Sequence, residues 1–308
     1  MSAGPSPAGA GLQDRPLRGI VFMILAFLCV SMTDALSKAA LQTLSTPQML
    51  ALRSALVLMM LLPVIARSGG IATLRTGRPG EHLIRVGLSL VSMFCFFEAL
   101  RHLELATAIA IGFVAPLMMT AMSVPLLGER VGLHRWSAIV VGFIGALVIL
   151  RPGSEGFQPA AVLAVVAAAA WAGSMVLVRR LSRTDSDAAG MTFQNVGVLL
   201  VMGILAPFAW RPMGLSGFVI IVFMALTLMV GQWFMFRAFR LAPVGVVAPF
   251  QYLELVGATL FGWLIWDEFP DGQVWVGAGI LIASGLYVIW RERVRAAESA
   301  ARAATGSG

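Results

Sequence analysis

The sequence predicts an all-α integral membrane protein of ten transmembrane helices, built as two inverted five-helix repeats. Three observations predict it. First, 59% of the 308 residues are apolar and only 12% are charged, with a mean hydropathy of +0.88. A water-soluble surface would not tolerate that composition. Second, ten apolar windows are long enough, at 1.5 Å rise per residue, to cross about 30 Å of hydrocarbon. Third, the pattern from Phe97 to Leu150 returns 139 positions later, from Phe236 to Ile289, without a gap. Phe97 falls on Phe236, Ala99 on Ala238, Arg101 on Arg240, Thr120 on Thr259, Glu129 on Glu268, Trp136 on Trp275 and Leu147 on Leu286. In both copies the Glu lies in the connection between two apolar runs and the Trp just before the second run.

The predicted spans are 19–40, 46–66, 82–102, 106–126, 135–151, 159–179, 191–210, 215–239, 243–266 and 274–290. Residues 1–16 are rich in Gly, Pro, Ser and Ala without an apolar core and read as a disordered cytoplasmic tail, not a cleavable signal. Residues 17–153 form the first repeat, 157–291 the second, and the Arg- and Ala-rich 292–308 a second cytoplasmic tail.

Charge sets the orientation. With the N-terminus inside, 17 of the 22 Lys and Arg residues fall on the inner face, while Lys38, Arg101, Arg151 and Arg211 lie outside and Arg53 lies within a span. The positive-inside rule therefore places both termini in the cytoplasm. A five-span unit crosses an odd number of times, so its second copy enters from the opposite side. The loops agree: Glu129 to Arg135 is basic, whereas Asp267 to Gln273 has no Arg and carries Asp267 and Asp271. Inverted repeats of this kind let two bundles exchange conformations about a midplane site.

The net charge of +7 is spread through membrane-flanking loops, which argues for topology and against a nucleic-acid partner. Cys29 and Cys95 lie inside spans, and His82, His102 and His134 lie at span ends, so neither a disulfide framework nor a metal site is suggested. No P-loop, Gly-x-Ser-x-Gly, His-Glu-x-x-His or paired intramembrane Asp pattern occurs. ATP coupling and an intramembrane enzyme are both disfavoured, and no cofactor is expected.

The chain resembles the drug/metabolite transporter superfamily, specifically its EamA-domain members with ten helices. The residues carrying the likeness are Ala106-Thr107-Ala108-Ile109-Ala110, Pro116, Leu127-Gly128-Glu129-Arg130, Trp136, Gly142, Gly145 and Arg151-Pro152-Gly153 in the first half. The second half supplies Trp171-Ala172-Gly173-Ser174, Ala242-Pro243-Val244 and Asp267-Glu268-Phe269. The opening Ser31-Met32-Thr33-Asp34-Ala35-Leu36-Ser37-Lys38, followed by Arg53, is similar to the bacterial branch that includes S-adenosylmethionine and riboflavin transporters. Leu255 stands where Pro116 would repeat, and Pro249 lies earlier in that helix. The resemblance implies secondary transport of a small organic solute; the superfamily includes both importers and exporters.

An ionisable side chain in hydrocarbon costs at least about 2.5 kcal/mol, so each should be paired, face a cavity or lie near an end. Asp34, Arg53 and Glu98 lie about 6 to 10 Å below the outer surface and, with Lys38, are expected to form one network. That network is either a latch holding spans 1 to 3 or part of a substrate site. Glu254 lies near the midplane with no base within one turn of its own helix. It is the acid costliest to insert, and the candidate for substrate contact or a coupling proton. Gln251 and Tyr252 could line a pocket beside it, and Trp171, Trp233 and Gln232 could stack or hydrogen-bond a planar ring. Ordinary packing or a lipid-facing indole is the alternative for both Trp residues. For Gln194 and Asn195 in span 7, bonds between helices are the expectation. Pro116 and its span are expected to face span 9 across the site. The small residues Gly142, Gly145, Ala146, Gly277, Gly279 and Ala283 permit close helix approach, as scaffold between spans 5 and 10 or as a homodimer contact.

Overall fold

A computed structural model describes residues 16–67, 69–127, 132–154, 156–181, 184–242 and 244–305. Glu129, whose partner in the repeat is Glu268, lies outside the described residues.

The chain folds into α1 (Pro16–Thr43), α2 (Thr46–Arg67), α3 (Pro79–Leu100), α4 (Leu105–Gly112), α5 (Ala115–Leu127), α6 (Leu133–Leu150) and α7 (Pro159–Leu181). It continues with α8 (Asp187–Leu205), α9 (Leu215–Leu241), α10 (Val244–Val247), α11 (Leu253–Trp266) and α12 (Gly272–Thr305). Among the described residues nine segments are long and apolar enough to cross a membrane. The fold class expected from composition and periodicity is an all-α membrane protein, and this is what forms.

The fourth and ninth predicted spans are not continuous helices. The fourth is split at Phe113-Val114 into α4 and α5, and the ninth is divided by a 3-10 turn, Ala248–Tyr252, into α10 and α11. Proline accounts for both. Pro116 lacks the N–H that would continue α4 and suits the first turn of α5, and Pro249 opens the 3-10 turn in the same way. Under the 139-residue offset Phe113 and Tyr252 are equivalent. They also touch, ring centroids 5.1 Å apart and nearly perpendicular. The two breaks therefore meet at the pseudo-twofold axis. The expectation that spans 4 and 9 flank a site is corrected: α4 and α11 pack on each other directly.

Helix pairing obeys the same symmetry. The most extensive contact is between α1 and α9, and its counterpart under the repeat, α7 with α3, is the next. The two self-equivalent pairs, α6 with α12 and α2 with α8, follow. α6 buries Ala138, Ile139, Gly142, Gly145, Ala146 and Ile149 against α12 and turns Val140, Val141, Ile144 and Leu147 outward. An outward apolar stripe of this kind suits lipid.

The small residues are used within the chain. A Cβ on Gly145 would sit 2.9 Å from the Gly277 carbonyl, and one on Gly277 would sit 2.6 Å from the Gly145 carbonyl. A Cβ on Gly279, by contrast, meets nothing within 4 Å. Gly277→Val should therefore cost about 1–3 kcal/mol by overpacking and lower the melting temperature in detergent, while Gly279→Ala leaves it within error.

Candidate functional site

The sequence grouped four charges near one face, and the structure divides them. Lys38 turns away from Asp34 to the chain beyond α11. Its ammonium donates to both Glu268 oxygens, 2.7 Å to Oε1, and to the Leu103 carbonyl at 3.0 Å. Glu268 is aimed there because α11 stops abruptly at Asp267, which takes the left-handed conformation (φ 56°). The Asp267 N–H then donates back to the Trp263 carbonyl, 3.0 Å, and the Glu268 N–H to the Gly262 carbonyl, 3.1 Å, two bonds that close off the helix end. Its carboxylate also accepts from the Leu105 N–H at 3.3 Å. One acid thus ties α1, the α3–α4 connection and the end of α11 together.

Glu98 joins a different cluster. It accepts from the Thr46 hydroxyl and from Arg101 Nε at 3.3 Å, while Arg101 also donates to the carbonyls of Leu41 (2.7 Å) and Leu44 (2.8 Å) at the end of α1. Those carbonyls have no partner within α1, and a guanidinium satisfies them with favourable charge. Arg101 caps the end of α3 three residues after Glu98 and is the guanidinium that Glu98 pairs with, in place of Arg53. On the same face, Gln48 exchanges two bonds with the backbone of Arg211, at 3.0 and 3.1 Å.

Asp34 and Glu254 find each other. Their side chains share a hydrogen bond, with the Arg53 charge on the Asp34 side. Ser31, one turn before Asp34, donates to the Glu254 carbonyl at 3.1 Å, and at Gly257 a Cβ would lie 2.4 Å from the Ser31 hydroxyl. Glycine here lets α11 approach α1 closely. Glu254 is therefore not isolated, because α1 supplies what its own helix lacks.

Arg53 is 6% exposed. Among the described residues its NH2 group donates to the thioether of Met93, 3.4 Å away, its guanidinium lies 5.6 Å from the Phe97 ring, and its Nε has no hydrogen-bond partner. It forms the inner end of a cavity of about 400 Å³ between α2, α3, α7, α8 and α9. Gln194, Asn195, Gln232, Trp171 and five methionines (Met93, Met175, Met191, Met229 and Met235) line its wall. Volume and lining match a small-molecule site, mostly apolar with a few polar groups, and methionine adapts to irregular shapes.

The cavity reaches the Arg-rich face, where α3 starts, α7 ends and α8 starts. There His82 Nε2 lies 2.7 Å from Asp185 Oδ2, with both side chains at most 5% exposed. Arg85, 5% exposed, donates to the Gly190 carbonyl and leaves its Nε unpartnered. Ser186 caps α8 by accepting from Ala189 N–H, 3.1 Å, and donates to the Thr73 carbonyl, 2.9 Å. Thr76, His82 and Thr184 donate to the Asp185 carboxyl and hold it below the usual carboxylate range against the opposing pull of desolvation. A depressed folded pKa stabilises the fold above the unfolded value near 3.9, and that contribution is lost as pH falls. Asp185→Asn should flatten the acid side of a melting-temperature profile between about pH 5 and 3.

Four expectations need correction. Tyr252 is buried against Phe113 and fills the notch at Gly285, where a Cβ would lie 1.9 Å from its hydroxyl, so it does not line the cavity; nor does Gln251 beside it. Trp233 is 51% exposed on the outer face of α9, edge-on to Phe22 and under Arg237. Asn195 bonds its own helix at the Met191 carbonyl, 2.9 Å, instead of a neighbour. The four-charge network is three separate pairings. His82, Arg85 and Asp185 were missed, because near span ends they are indistinguishable in sequence from ordinary membrane-flanking charges.

Two repeated halves with a cavity between them, and one face tied by side chains from both halves, is a geometry that suits a carrier. The family model for the EamA-like transporter family matches residues 17–151 and again 158–291. The chain belongs to the EamA-like transporter family. This EamA-like chain is 29% identical to a riboflavin transporter of Vibrio cholerae over 281 residues, covering 90% of this chain and 94% of the relative. It is equally identical, 29% over 284 residues, to an S-adenosylmethionine uptake transporter of Rickettsia felis, with the same coverages. A pseudopaline exporter of Pseudomonas aeruginosa is 28% identical over 282 residues, covering 89% of this chain and 96% of the relative. One crystal structure, 18% identical, superposes with a TM-score of 0.62 over 89% of this chain and 97% of its own. The protein is a multi-pass membrane transporter of a small molecule in the drug/metabolite superfamily.

Proposed function

We propose that this EamA-like protein is a secondary transporter of a small, ring-bearing metabolite such as riboflavin or S-adenosylmethionine, working by alternating access in a bacterial inner membrane. Both termini are cytoplasmic, so the cavity faces the cytoplasm and the Lys38–Glu268 tie closes the outer face. The observation that carries this reading is a cavity between inverted halves, reaching the Arg-rich face while the opposite face is tied by Lys38 and Glu268.

Trp171 and the methionines hold the ring; Gln194, Gln232 and Asn195 present amides to it. A hydrogen bond between two carboxyl groups requires a proton on one of them, so the Asp34–Glu254 pair carries the coupling proton and Arg53 links it to the cavity. Two of the relatives are named as riboflavin and S-adenosylmethionine transporters, which supports that substrate class. The pseudopaline exporter supports a second reading, an exporter of amino-acid-derived or drug-like solutes.

Counterflow tests it. Proteoliposomes loaded with unlabelled riboflavin or S-adenosylmethionine should take up the labelled compound transiently above equilibrium. Uptake that never overshoots with either compound would remove this substrate class. An intramembrane enzyme would instead consume the compound inside the vesicles.

A further inference from the structure

Two guanidinium groups on the cavity wall lack full partners. Arg53 at the closed end and Arg85 at the mouth are each at least nine-tenths buried, and each leaves Nε without a hydrogen-bond acceptor. Burying a donor without an acceptor costs about 1–3 kcal/mol, more for a charged group, and such costs persist where a ligand supplies the acceptor. Among the described lining residues the one carboxylate is Asp185, and it is already engaged by His82. Asp34 supplies the charge that opposes Arg53, and among the described residues the hydrogen-bond acceptor recorded for its NH2 group is the weakly accepting Met93 sulfur.

Position completes the argument. Met93 touches Arg53, and Arg85 precedes Met93 by eight residues on α3, so the backbone positions of Arg85 and Met93 are roughly 12 Å apart along the helix. A solute crossing the cavity from the mouth would meet Arg85 and then Arg53. Guanidinium binds carboxylate and phosphate through paired N–H donors, and its charge persists at any working pH.

We infer that the cavity selects solutes bearing a carboxylate or phosphate, captured at the mouth by Arg85 and seated at the closed end on Arg53. The rest of the solute lies along Trp171 and the methionines. This rests on the transport reading and narrows it to solutes that carry an acidic group.

Matched pairs test it. Isothermal titration of the purified protein would compare riboflavin 5′-phosphate with riboflavin, and S-adenosylmethionine with its decarboxylated form, each pair differing only in the acid group. The acid-bearing member should bind at least about tenfold more tightly in one pair, and Arg85→Gln should bring that ratio close to one. Arg53→Lys keeps the charge at a buried position and should retain part of the preference where Arg53→Gln loses it. Equal affinities within both pairs overturn the inference and leave the transport reading standing. If none of the four binds, phosphate and citrate are titrated in a melting assay. Protection that Arg85→Gln abolishes supports the acid site and removes the substrate list, whereas no protection by either anion overturns the acid site as well.

Discussion

Glu254→Gln is expected to abolish uphill accumulation while leaving counterflow. The amide keeps the size and hydrogen-bonding capacity of the side chain but cannot take up or release a proton. In vesicles with an imposed proton gradient, the accumulation ratio should fall to one, and exchange of labelled for unlabelled solute should continue. Asp34→Asn should do the same, and the double variant should be no worse than either single one, because the two carboxyls share one proton and act as a unit. A Glu254→Gln protein that still accumulates solute with unchanged pH dependence would end the coupling role.

The second large effect concerns the closed face. Glu268→Ala removes the acceptor for the Lys38 ammonium and the Leu105 N–H together, leaving Lys38, 8% exposed, with one carbonyl. Removing one partner of a well-buried pair costs about 3–5 kcal/mol. Glu268 is a quarter exposed, so about 2 kcal/mol is the expected loss, specific to the conformation closed on that face. That shifts the balance about thirtyfold toward the conformation open there. Single cysteines introduced near Leu103 should then react with an impermeant maleimide added from that side much faster than in the parent protein. Lys38→Ala leaves Glu268 with the Leu105 N–H alone and should act in the same direction.

Much of this architecture was legible in the sequence. The offset of 139 residues named the repeat units, and in the structure it explains why Phe113 meets Tyr252 and why the α1–α9 contact has its counterpart in α7–α3. Pro116 marked the break in span 4, whereas Leu255 at the repeat position of Pro116 left the break in span 9 unplaced; it falls at the 3-10 turn that Pro249 opens. The pairing of charges was not legible. Asp34 and Lys38 share one helical face, and depth alone put Glu98 beside them, but partner choice depends on which helix lies alongside. Glu254 reached Asp34 because Gly257 lets α11 approach α1, and Lys38 reached Glu268 because Asp267 turns the chain back. Those are properties of packing between halves some 220 residues apart. The mouth of the cavity escaped notice for another reason. Arg85, His82 and Asp185 sit where membrane proteins ordinarily place soluble-face charges, and only their burial distinguishes them.

The central claim is that the two faces open in turn about one cavity. It is tested most directly by double electron–electron resonance in nanodiscs, using two spin-label pairs. One pair, at residues 102 and 270, spans the closed face; the other, at residues 78 and 188, spans the mouth of the cavity. Each pair should give two distance populations, and lowering the pH or adding substrate should lengthen one pair's distances as it shortens the other's. A single unchanging population at both pairs, under conditions where counterflow proceeds, would contradict the account.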